Sequence, residues 1–429
     1  MADDQAALTL RSVADAFEAA SRAGLATQAA RDSAQLVELA SQGPIVRLVD
    51  TLLSEAVDRH ASDIHLEAFE RSVHVRYRID GRCYLVAEPP TSLALALASR
   101  IKVLANLDVA ESRLPQDGRI LLTTRARQID LRVSTLPTVF GESIVLRVLD
   151  KRSLDKTLTE LGMEAAGQAA MEELISLPNG MVLVTGPTGA GKTTTLYACL
   201  AKRNSAEIKL ITTEDPVEYD VPGLVQVAVN PKISLTFAAC LRAILRHDPD
   251  VVMVGEIRDR ETAQIAIQAA LTGHLVFSTL HTNDAPGAVT RLLDMGVEPF
   301  LVTSTVSGVL AQRLVRGLCR DCRAPREATD EDLAALHLRR EDMPGPLMRA
   351  VGCEACQGIG YRGRTGLFEL LVMTEEIRRL ILERADVVAV RAQARAGGMR
   401  SLREDGVAKV LAGVTTIEEM VRETQDDEK

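Results

Sequence analysis

The stretch GPTGAGKT at residues 186–193 constrains the fold of this chain most strongly. It follows the apolar run MVLVT and precedes TTTLYACLAKR, which has the apolar spacing of a helix. In this strand–loop–helix context, G-x-x-x-x-G-K-T binds the phosphates of a nucleoside triphosphate through backbone N–H groups, the lysine and an Mg²⁺-binding hydroxyl. A glycine turn that merely caps a helix is the alternative. The predicted ATP-binding residues are Gly186, Pro187, Thr188, Gly189, Ala190, Gly191, Lys192, Thr193 and Thr194.

Strand patterns on either side of this loop indicate two kinds of domain. MVLVT, IKLITTE, VVMVGE and LVFSTL are apolar runs separated by helical stretches, the pattern of a mostly parallel sheet with helices on both faces. Earlier in the chain the runs SDIHLEAF, SVHVRYRIDG, RCYLVAEP, GRILLTTRA, QIDLRVSTLPT and SIVLRVL alternate apolar and polar residues, which is typical of half-buried strands. With helices predicted among them, this earlier part is an α+β domain.

The fold class predicted from these patterns is multidomain, with five segments. A short helical extension at 1–43 precedes the α+β domain at 44–153. The phosphate-loop α/β domain at 154–318 is followed by a cysteine-containing segment at 319–366 and a helical region at 367–429.

A carboxylate ends one of the apolar runs. In VVMVGEIRD, Glu256 follows Gly255 at the strand end, where ligands bind in open α/β sheets. An unpaired buried charge is costly, and phosphate-loop enzymes use an acid from a second strand near Mg²⁺ and the terminal phosphate. We therefore predict that Thr193 and Glu256 hold Mg²⁺. A structural ion pair between Glu256 and Arg258 or another arginine is the alternative.

Four of the seven cysteines form two C-x-x-C pairs, in LCRDC and GCEAC, separated by 30 residues. Two such pairs supply the four thiolates of a tetrahedral, structural Zn²⁺ site, and a loop of this length closes at small extra entropic cost. Redox pairs are the alternative, but the context of a βαβ redox motif is missing. The predicted zinc ligands are Cys319, Cys322, Cys353 and Cys356. The single cysteines Cys83, Cys199 and Cys240 are predicted to be small core residues.

Composition narrows the choice of partner and compartment. The net charge is −9, which disfavours nucleic acid as the main partner. The sequence has no run of about 18 apolar residues that would span a membrane. Its acidic start, MADDQ, differs from the basic and apolar start of a signal peptide. We therefore expect a cytoplasmic protein.

Longer blocks of the sequence resemble the secretion ATPases of bacterial type II secretion, a family related to type IV pilus assembly and retraction motors. The resemblance covers about residues 44–425 and is carried by GPTGAGKTTTLYA, ITTEDPVEYDVPGLVQ, LRAILRHDPDVVMVGEIRDRETAQIAIQAALTGHLVFSTLHTNDA and QRLVRGLCRDC. It implies a RecA-like phosphate-loop domain. It also implies ATP hydrolysis coupled to protein secretion.

The resemblance further implies roles for particular residues. Glu214, in TTEDPVEY, would be the base or would position the attacking water, and Asp215 would be a supporting acid. Glu256 would lie near Mg²⁺, and His274 and His281, in TGHLVFSTLHTN, would lie near the nucleotide. For Glu214 the alternative is an exposed acid at a strand end, and for His281 it is a hydrogen-bonded structural histidine.

Arginines of the α+β domain are candidates for stabilising the charge that develops on the terminal phosphate. They are Arg76, Arg78, Arg119, Arg132 and Arg147, of which Arg119 and Arg147 are singled out for test. The resemblance implies a hexamer at the cytoplasmic face of the inner membrane, which works on platform and anchor proteins to drive pseudopilus assembly. A type IV pilus assembly motor is the alternative. A nucleic-acid translocase is disfavoured by the acidic pI of about 5.5.

Overall fold

The structure is a computed structural model that describes residues 15–16, 33–124, 127–149 and 156–424. It divides the chain into two compact units, Met1–Lys151 and Arg152–Lys429. Most of the helical extension predicted at 1–43 lies outside the described residues.

Unit 1 is built on a six-stranded antiparallel sheet in the order β3-β2-β1-β6-β5-β4. Its strands are β1 (Ala61–Ala68), β2 (Val73–Ile79), β3 (Arg82–Ala87), β4 (Gln116–Thr124), β5 (Arg127–Thr138) and β6 (Gly141–Leu149). Its helices, among the residues described, are α1 (Ser33–Ala40), α2 (Gly43–Asp58) and α3 (Ala94–Leu104).

Strand alternation gives this sheet one apolar and one polar face, because successive side chains point to opposite sides. On β2, Val75 and Tyr77 are buried, and the Tyr77 hydroxyl donates a hydrogen bond to the Leu52 carbonyl of α2 at 2.7 Å. Helix α2 begins with Pro44 in its first turn, where the missing N–H costs no hydrogen bond. The predicted α+β fold of this unit is confirmed, and its polar face carries the arginines described below.

Unit 2 contains a seven-stranded sheet in the order β15-β12-β7-β11-β10-β8-β9 and a two-stranded sheet, β13-β14. The strands are β7 (Gly180–Thr185), β8 (Leu210–Glu214), β9 (Leu224–Ala228), β10 (Val251–Val254), β11 (Leu275–Leu280), β12 (Val306–Leu318), β13 (Ala324–Arg326), β14 (Leu347–Arg349) and β15 (Tyr361–Val372). The helices are α4 (Ala165–Ser176), α5 (Lys192–Arg203), α6 (Phe237–Ile244), α7 (Arg260–Leu271), α8 (Ala285–Asp294), α9 (Pro299–Thr305), α10 (Asp330–Leu336), α11 (Glu375–Leu382), α12 (Val387–Ala396), α13 (Leu402–Leu411) and α14 (Ile417–Glu423).

The large sheet is parallel from β12 to β9 and is covered on both faces. Met181 and Leu183 of β7 pack into a core on one side, whereas Val182 and Val184 pack into a second core on the other. Continuous apolar strands result, as expected for a parallel sheet buried on both faces. The predicted RecA-like α/β domain and the helical C-terminal region are therefore confirmed.

Two strands of this sheet, β12 and β15, have no counterpart among the predicted strands. They pair antiparallel from Gly308 opposite Val372 to Leu318 opposite Tyr361, and the cysteine-containing residues are an insertion between them. Glu369 interrupts the apolar run of β15, but it is buried and accepts a 2.7 Å hydrogen bond from the backbone N–H of Ala285. This pairing depends on contacts that are distant in sequence, so strand periodicity alone does not predict it.

The single cysteines differ in their surroundings. Cys199 and Cys240 are buried, as predicted, but Cys83 is exposed. The prediction for Cys83 is wrong because β3 is an edge strand whose alternation buries Tyr84 instead. No helix among the described residues is long and apolar enough to cross a membrane.

Candidate nucleotide site and four-cysteine cluster

The loop between β7 and α5 requires glycine for two physical reasons. Gly186 and Gly191 have φ values of +146° and +87°, which favour glycine because it lacks a Cβ. A Cβ on Gly186 would also lie 2.5 Å from the backbone oxygen of Gln312. Strand β12 therefore passes directly against the loop.

Lys192, at the start of α5, is held inside the curve of this loop. Its Nζ donates hydrogen bonds to the carbonyl oxygens of Gly186 at 2.8 Å and Pro187 at 3.0 Å. Burial lowers the pKa of Lys192 to about 8, the Glu256 carboxylate opposes this shift, and the positive charge of Arg313 adds to it. A cation partly withdrawn from water and held by neutral carbonyls is suited to bind an anion.

Three further predicted residues follow the carboxyl ends of parallel strands, at the same edge of the sheet as this loop. Glu214 ends β8, Glu256 lies two residues after β10, and His281 follows β11. Gly255 lets the first two strand ends approach, because a Cβ there would lie 3.2 Å from the Thr213 oxygen and 3.4 Å from the Glu214 Cα. The fold therefore brings both carboxylates and His281 to one edge.

Glu214 is 3% exposed, so the alternative of an exposed acid at a strand end is wrong. Its Oε2 accepts a 2.5 Å hydrogen bond from the Tyr197 hydroxyl. Its Oε1 accepts hydrogen bonds from Thr212 Oγ1 at 2.6 Å and Gln226 Nε2 at 3.0 Å. Burial, and then Glu214 itself, raise the pKa of Tyr197, which keeps the phenol protonated and donating. A carboxylate has about four acceptor positions, so these three donors fix its orientation and leave about one acceptor position unused.

Glu256 forms the ion pair of its predicted alternative and also acts electrostatically on the phosphate loop. Its Oε1 pairs with Arg258 Nη2 at 2.6 Å, while its Oε2 lies 3.4 Å from His281 Nε2. The Glu256 side chain is 13% exposed, and its charge raises the pKa of Lys192 against the effect of burial. The hydrogen bond from Arg258 to Glu256, with a smaller contribution from exposed Asp215, raises the pKa of Arg258. The carboxylate is thus shared between an ion pair and the phosphate loop.

His274 lies at the opposite edge of the sheet. It directly precedes β11, and its backbone oxygen accepts a 3.1 Å hydrogen bond from the N–H of Gly180 at the start of β7. Six residues of β11 separate it from His281, about 20 Å along an extended strand. The expectation that His274 lies near the nucleotide is therefore wrong within its own chain, because the two histidines bracket a strand.

Two residues of β12 contact the phosphate loop, although sequence reasoning assigns them no role. Gln312 Nε2 donates a 2.5 Å hydrogen bond to the Ala190 carbonyl. The guanidinium of Arg313 lies beside Gly186, 3.6 Å from the position of a Cβ on that glycine. Both belong to the QRLVRGLCRDC block, which helped to carry the family resemblance. Only the pairing of β12 with β7 shows that they lie at the phosphate loop.

The candidate arginines of unit 1 form a row across its polar face. Register pairs Arg119 with Arg132, Arg132 with Arg147, Arg147 with Asp63, and Asp63 with Arg78. Four arginines and one aspartate, one from each of five adjacent strands, therefore lie side by side. Arg76 lies outside this row, where its Nη2 pairs with Glu67 at 2.6 Å.

Acidic partners orient part of this row without burying it. Arg119 Nε donates to Asp130 Oδ1 at 2.6 Å, and Arg147 Nε donates to Asp63 Oδ1 at 3.1 Å. The two arginine side chains remain 67% and 61% exposed, respectively. Exposed ion pairs of this kind contribute about 0–1 kcal/mol, so they position the guanidinium groups more than they stabilise the unit.

The four predicted zinc ligands come together in unit 2. All four Sγ atoms lie within 4.8 Å of one another, with Cys319 to Cys353 at 3.9 Å, and Cys322 to Cys356 and Cys353 to Cys356 each at 3.7 Å. Zn–S bonds of about 2.3 Å in a tetrahedron place sulfur atoms about 3.8 Å apart. The cysteines therefore fit a structural zinc ion.

Backbone N–H groups support the sulfur atoms in this cluster. Cys356 Sγ accepts hydrogen bonds from the N–H groups of Cys353 at 3.1 Å and Gly360 at 3.2 Å. Burial opposes ionisation of Cys356, but these donors outweigh it and bring its pKa down to about 7. Burial raises the pKa of Cys322 to about 11. The cluster thus favours one thiolate even before a cation balances the others.

The sequence is similar to a known protein family and to individual curated proteins. The model described as "Type II/IV secretion system protein" matches residues 38–422. The chain belongs to this family. Type II secretion system protein HxcR of Pseudomonas aeruginosa is 53% identical over 391 residues, which cover 91% of this chain and 80% of that protein. Type II secretion system ATPase E of Vibrio cholerae is 51% identical over 391 residues, 91% of this chain and 77% of that protein.

A solved structure supports the same assignment. The pilus retraction motor PilT with bound ADP has a TM-score of 0.59 and 26% identity, and the match covers 88% of this chain and 97% of that one. Membership of the type II/IV secretion system family, together with these relatives, identifies the chain as an ATPase. The resemblance inferred from the sequence is confirmed.

The four-cysteine cluster can be tested as a zinc site. Cys353→Ser is expected to reduce bound zinc from about one ion per chain to well below half, because one of four ligands is lost. The melting temperature should fall, since metal binding at such a site contributes directly to folding. Metal analysis of freshly purified, reduced protein provides the measurement, and Cys240→Ser is the control for loss of a buried cysteine elsewhere. Wild-type protein without zinc would contradict the prediction.

Proposed function

We propose that this chain is the motor ATPase of a type II secretion system. It couples ATP hydrolysis to mechanical work on an inner-membrane partner at the cytoplasmic face, and thereby drives pseudopilus assembly. One observation carries the proposal: identity above 50% over nine-tenths of the chain to proteins named for type II secretion. The phosphate loop and the two carboxylates at its sheet edge supply the chemistry.

Nucleotide binding is assigned to residues 186–194. In this proposal the backbone N–H groups of the loop and Lys192 hold the phosphates, and Thr193 and Glu256 hold Mg²⁺. Thr193 is exposed at the start of α5 and Glu256 lies at the same sheet edge, which supports a shared ligand. Bound Mg²⁺ would neutralise charge on the phosphates and orient them.

Glu214 is proposed to position the attacking water and accept its proton. Its oxygens are already oriented by Tyr197, Thr212 and Gln226, so little reorganisation is needed when water binds. His281 is proposed to act beside Glu256, which lies 3.4 Å away. In this proposal the His281 side chain forms a hydrogen bond near the terminal phosphate during the reaction.

The arginine row supports a further part of the proposal, namely assembly into a hexameric ring. An ATPase that does mechanical work must change the relation between its parts during turnover. Arg119 and Arg147 are exposed on an open sheet face, and guanidinium groups supplied from outside a phosphate loop stabilise the transition state of phosphoryl transfer. In a ring, each such face would complete a nucleotide site.

Arg119→Ala and Arg147→Ala are expected to reduce turnover by about 10³-fold while changing ATP affinity only a few-fold. The reason is that a guanidinium aimed at developing charge stabilises the transition state more than the ground state. Turnover, nucleotide affinity and oligomeric state are measured for each variant. Arg113→Ala is the matched control, because Arg113 is 85% exposed and pairs with Glu111 away from the row. Parallel loss of assembly and activity would contradict a direct action of these arginines on the terminal phosphate.

The function itself is tested in the bacterium that carries the gene. Deletion is expected to retain secreted proteins within the cell, and the wild-type gene, but not its Lys192→Ala form, should restore their release. Intact secretion together with loss of surface pili would favour the alternative, a type IV pilus assembly motor. The chain is 26% identical to the pilus retraction motor PilT, so this test scores pilus formation as well as secretion.

A further inference from the structure

A short loop after β11 contacts five other parts of unit 2. We define the junction loop as residues 281–285, HTNDA. His281 contacts Glu256 after β10, and the Thr282 hydroxyl lies 2.7 Å from that of Thr185 at the end of β7. Each of the next three residues contacts a different element: Asn283 contacts Arg313, Asp284 contacts Arg391 and Ala285 contacts Glu369. The loop therefore contacts the segment after β10 and then β7, β12, α12 and β15.

Arg313 occupies an unusual position in this arrangement. It is 6% exposed, and its Nη2 donates a 3.3 Å hydrogen bond to Asn283 Oδ1. Its Nη1 is buried without a hydrogen-bond partner among the residues described. A buried guanidinium nitrogen without an acceptor costs free energy. A bound ligand that accepts a hydrogen bond from Nη1 would remove this cost.

The direction of the unpaired nitrogen identifies the kind of ligand. Arg313 Nη1 lies 3.6 Å from the Cβ position of Gly186, the first residue of the phosphate loop. Its charge also lowers the pKa of Lys192, whose ammonium is held at Gly186 and Pro187. Two cations beside one loop favour an anion, and an arginine fork matches phosphate oxygens well.

We propose that Arg313 senses the terminal phosphate of ATP in its own chain and transmits its presence through the junction loop to α12. Nη1 binds a terminal phosphate oxygen while Nη2 holds Asn283. The neighbouring Asp284 caps α8, accepting a 2.6 Å hydrogen bond from Gly287 N, and pairs with Arg391 of α12. A shift of the guanidinium between ATP and ADP states thus displaces the loop that anchors α12.

This inference rests on the nucleotide site assigned under the proposed function. In this proposal Arg313 contacts the nucleotide itself, and it differs from the arginine row of unit 1 because it needs no second copy of the chain. ATP and ADP differ only in the terminal phosphate. Comparing the affinities for the two nucleotides therefore shows whether Arg313 senses that phosphate or only supports the loop.

The test compares the dissociation constants of a non-hydrolysable ATP analogue and of ADP for the full chain and for Arg313→Gln. The variant is expected to bind the analogue about 10-fold or more weakly, the effect of losing one charge-assisted hydrogen bond, and to bind ADP within about threefold. Hydrogen exchange of α12 should respond to the analogue in the wild type and not in Arg313→Gln. Equal losses for both nucleotides, or no loss, would overturn the proposal.

Two further variants separate sensing from transmission. Arg391→Gln is expected to keep the affinity for the analogue but lose the response of α12. Arg313→Lys keeps the charge but cannot bridge two acceptors with a planar fork, so it should bind the analogue within about threefold and also lose that response. It replaces Arg313→Gln if the latter does not fold, and a retained α12 response would then refute the relay.

Failure of this inference is distinguishable from failure of the nucleotide site. Wild-type protein that binds neither nucleotide would overturn the site and Arg313 with it. Wild-type protein that binds both nucleotides, with Arg313→Gln unchanged, would overturn only the role of Arg313.

Discussion

Lys192→Ala is expected to reduce ATP hydrolysis by at least about 10²-fold and to weaken ATP binding about 10-fold or more. The side chain that it removes is the cation held inside the phosphate loop by Gly186 and Pro187. Without this ammonium, the negative charge of the terminal phosphates loses the main cation that the loop provides. Steady-state turnover and equilibrium binding of ATP measure the two effects separately.

The matched control for this variant lies on the same helix. Lys202, in the last turn of α5, is 58% exposed and pairs with Glu172, so Lys202→Ala removes the same charge away from the loop. It should leave turnover within about twofold, as expected for an exposed ion pair. Wild-type turnover in Lys192→Ala would contradict the assignment of the phosphate loop.

The lowered pKa of Lys192 gives this prediction a pH dependence. Because the pKa is about 8 rather than its ordinary value, the ammonium is mostly charged at pH 7 and loses its proton as the pH rises through about 8. ATP affinity of the wild type should therefore fall between pH 7 and pH 9, by up to about 10-fold per pH unit above the pKa. Lys192→Ala should show no such fall, which identifies the titrating group.

Glu256→Gln is expected to permit ATP binding while reducing turnover by about 10²-fold or more. The amide keeps the size of the side chain but removes the charge that faces Lys192, Arg258 and His281. ATP affinity should stay within a few-fold, because the loop and Lys192 remain. Single-turnover hydrolysis and equilibrium binding distinguish the chemical step from nucleotide capture.

The ion pair with Arg258 provides the competing explanation for Glu256. If the carboxylate served only that pair, Glu256→Gln would lower the melting temperature and leave turnover per folded molecule unchanged. Glu261→Gln is the matched control, because Glu261 is an exposed acid that pairs with Arg242 on the surface. Its turnover and melting temperature should both match those of the wild type.

Sequence patterns predicted the parts of the site that depend on local order. The phosphate loop, the strand that delivers Glu256 and the two C-x-x-C pairs each lie within a few consecutive residues. Tyr197, Thr212 and Gln226, which orient Glu214, come from three elements, and no local pattern connects them. The arginine row likewise requires the register of five strands, which alternation alone leaves undetermined.

The errors have the same physical origin. Cys83 is small and apolar, yet it is exposed because the alternation of edge strand β3 buries Tyr84 instead. His274 and His281 are close in sequence, but an extended strand between them carries them to opposite edges of the sheet. Strand order and strand direction are properties of tertiary structure, and both errors concern them.

The pairing of β12 with β15 has a consequence for the order in which the chain emerges from the ribosome. Strand β12 is almost wholly buried, and one of its two backbone edges is paired with β15. The two strands are separated by 42 residues, which contain the whole cysteine-containing insertion. Until Tyr361–Val372 has been synthesised, that apolar edge has no covering strand, and uncovered edges of this kind recruit strands of other chains. Shortened versions of the protein that stop before residue 372 should therefore aggregate, and any useful fragment has to retain β15.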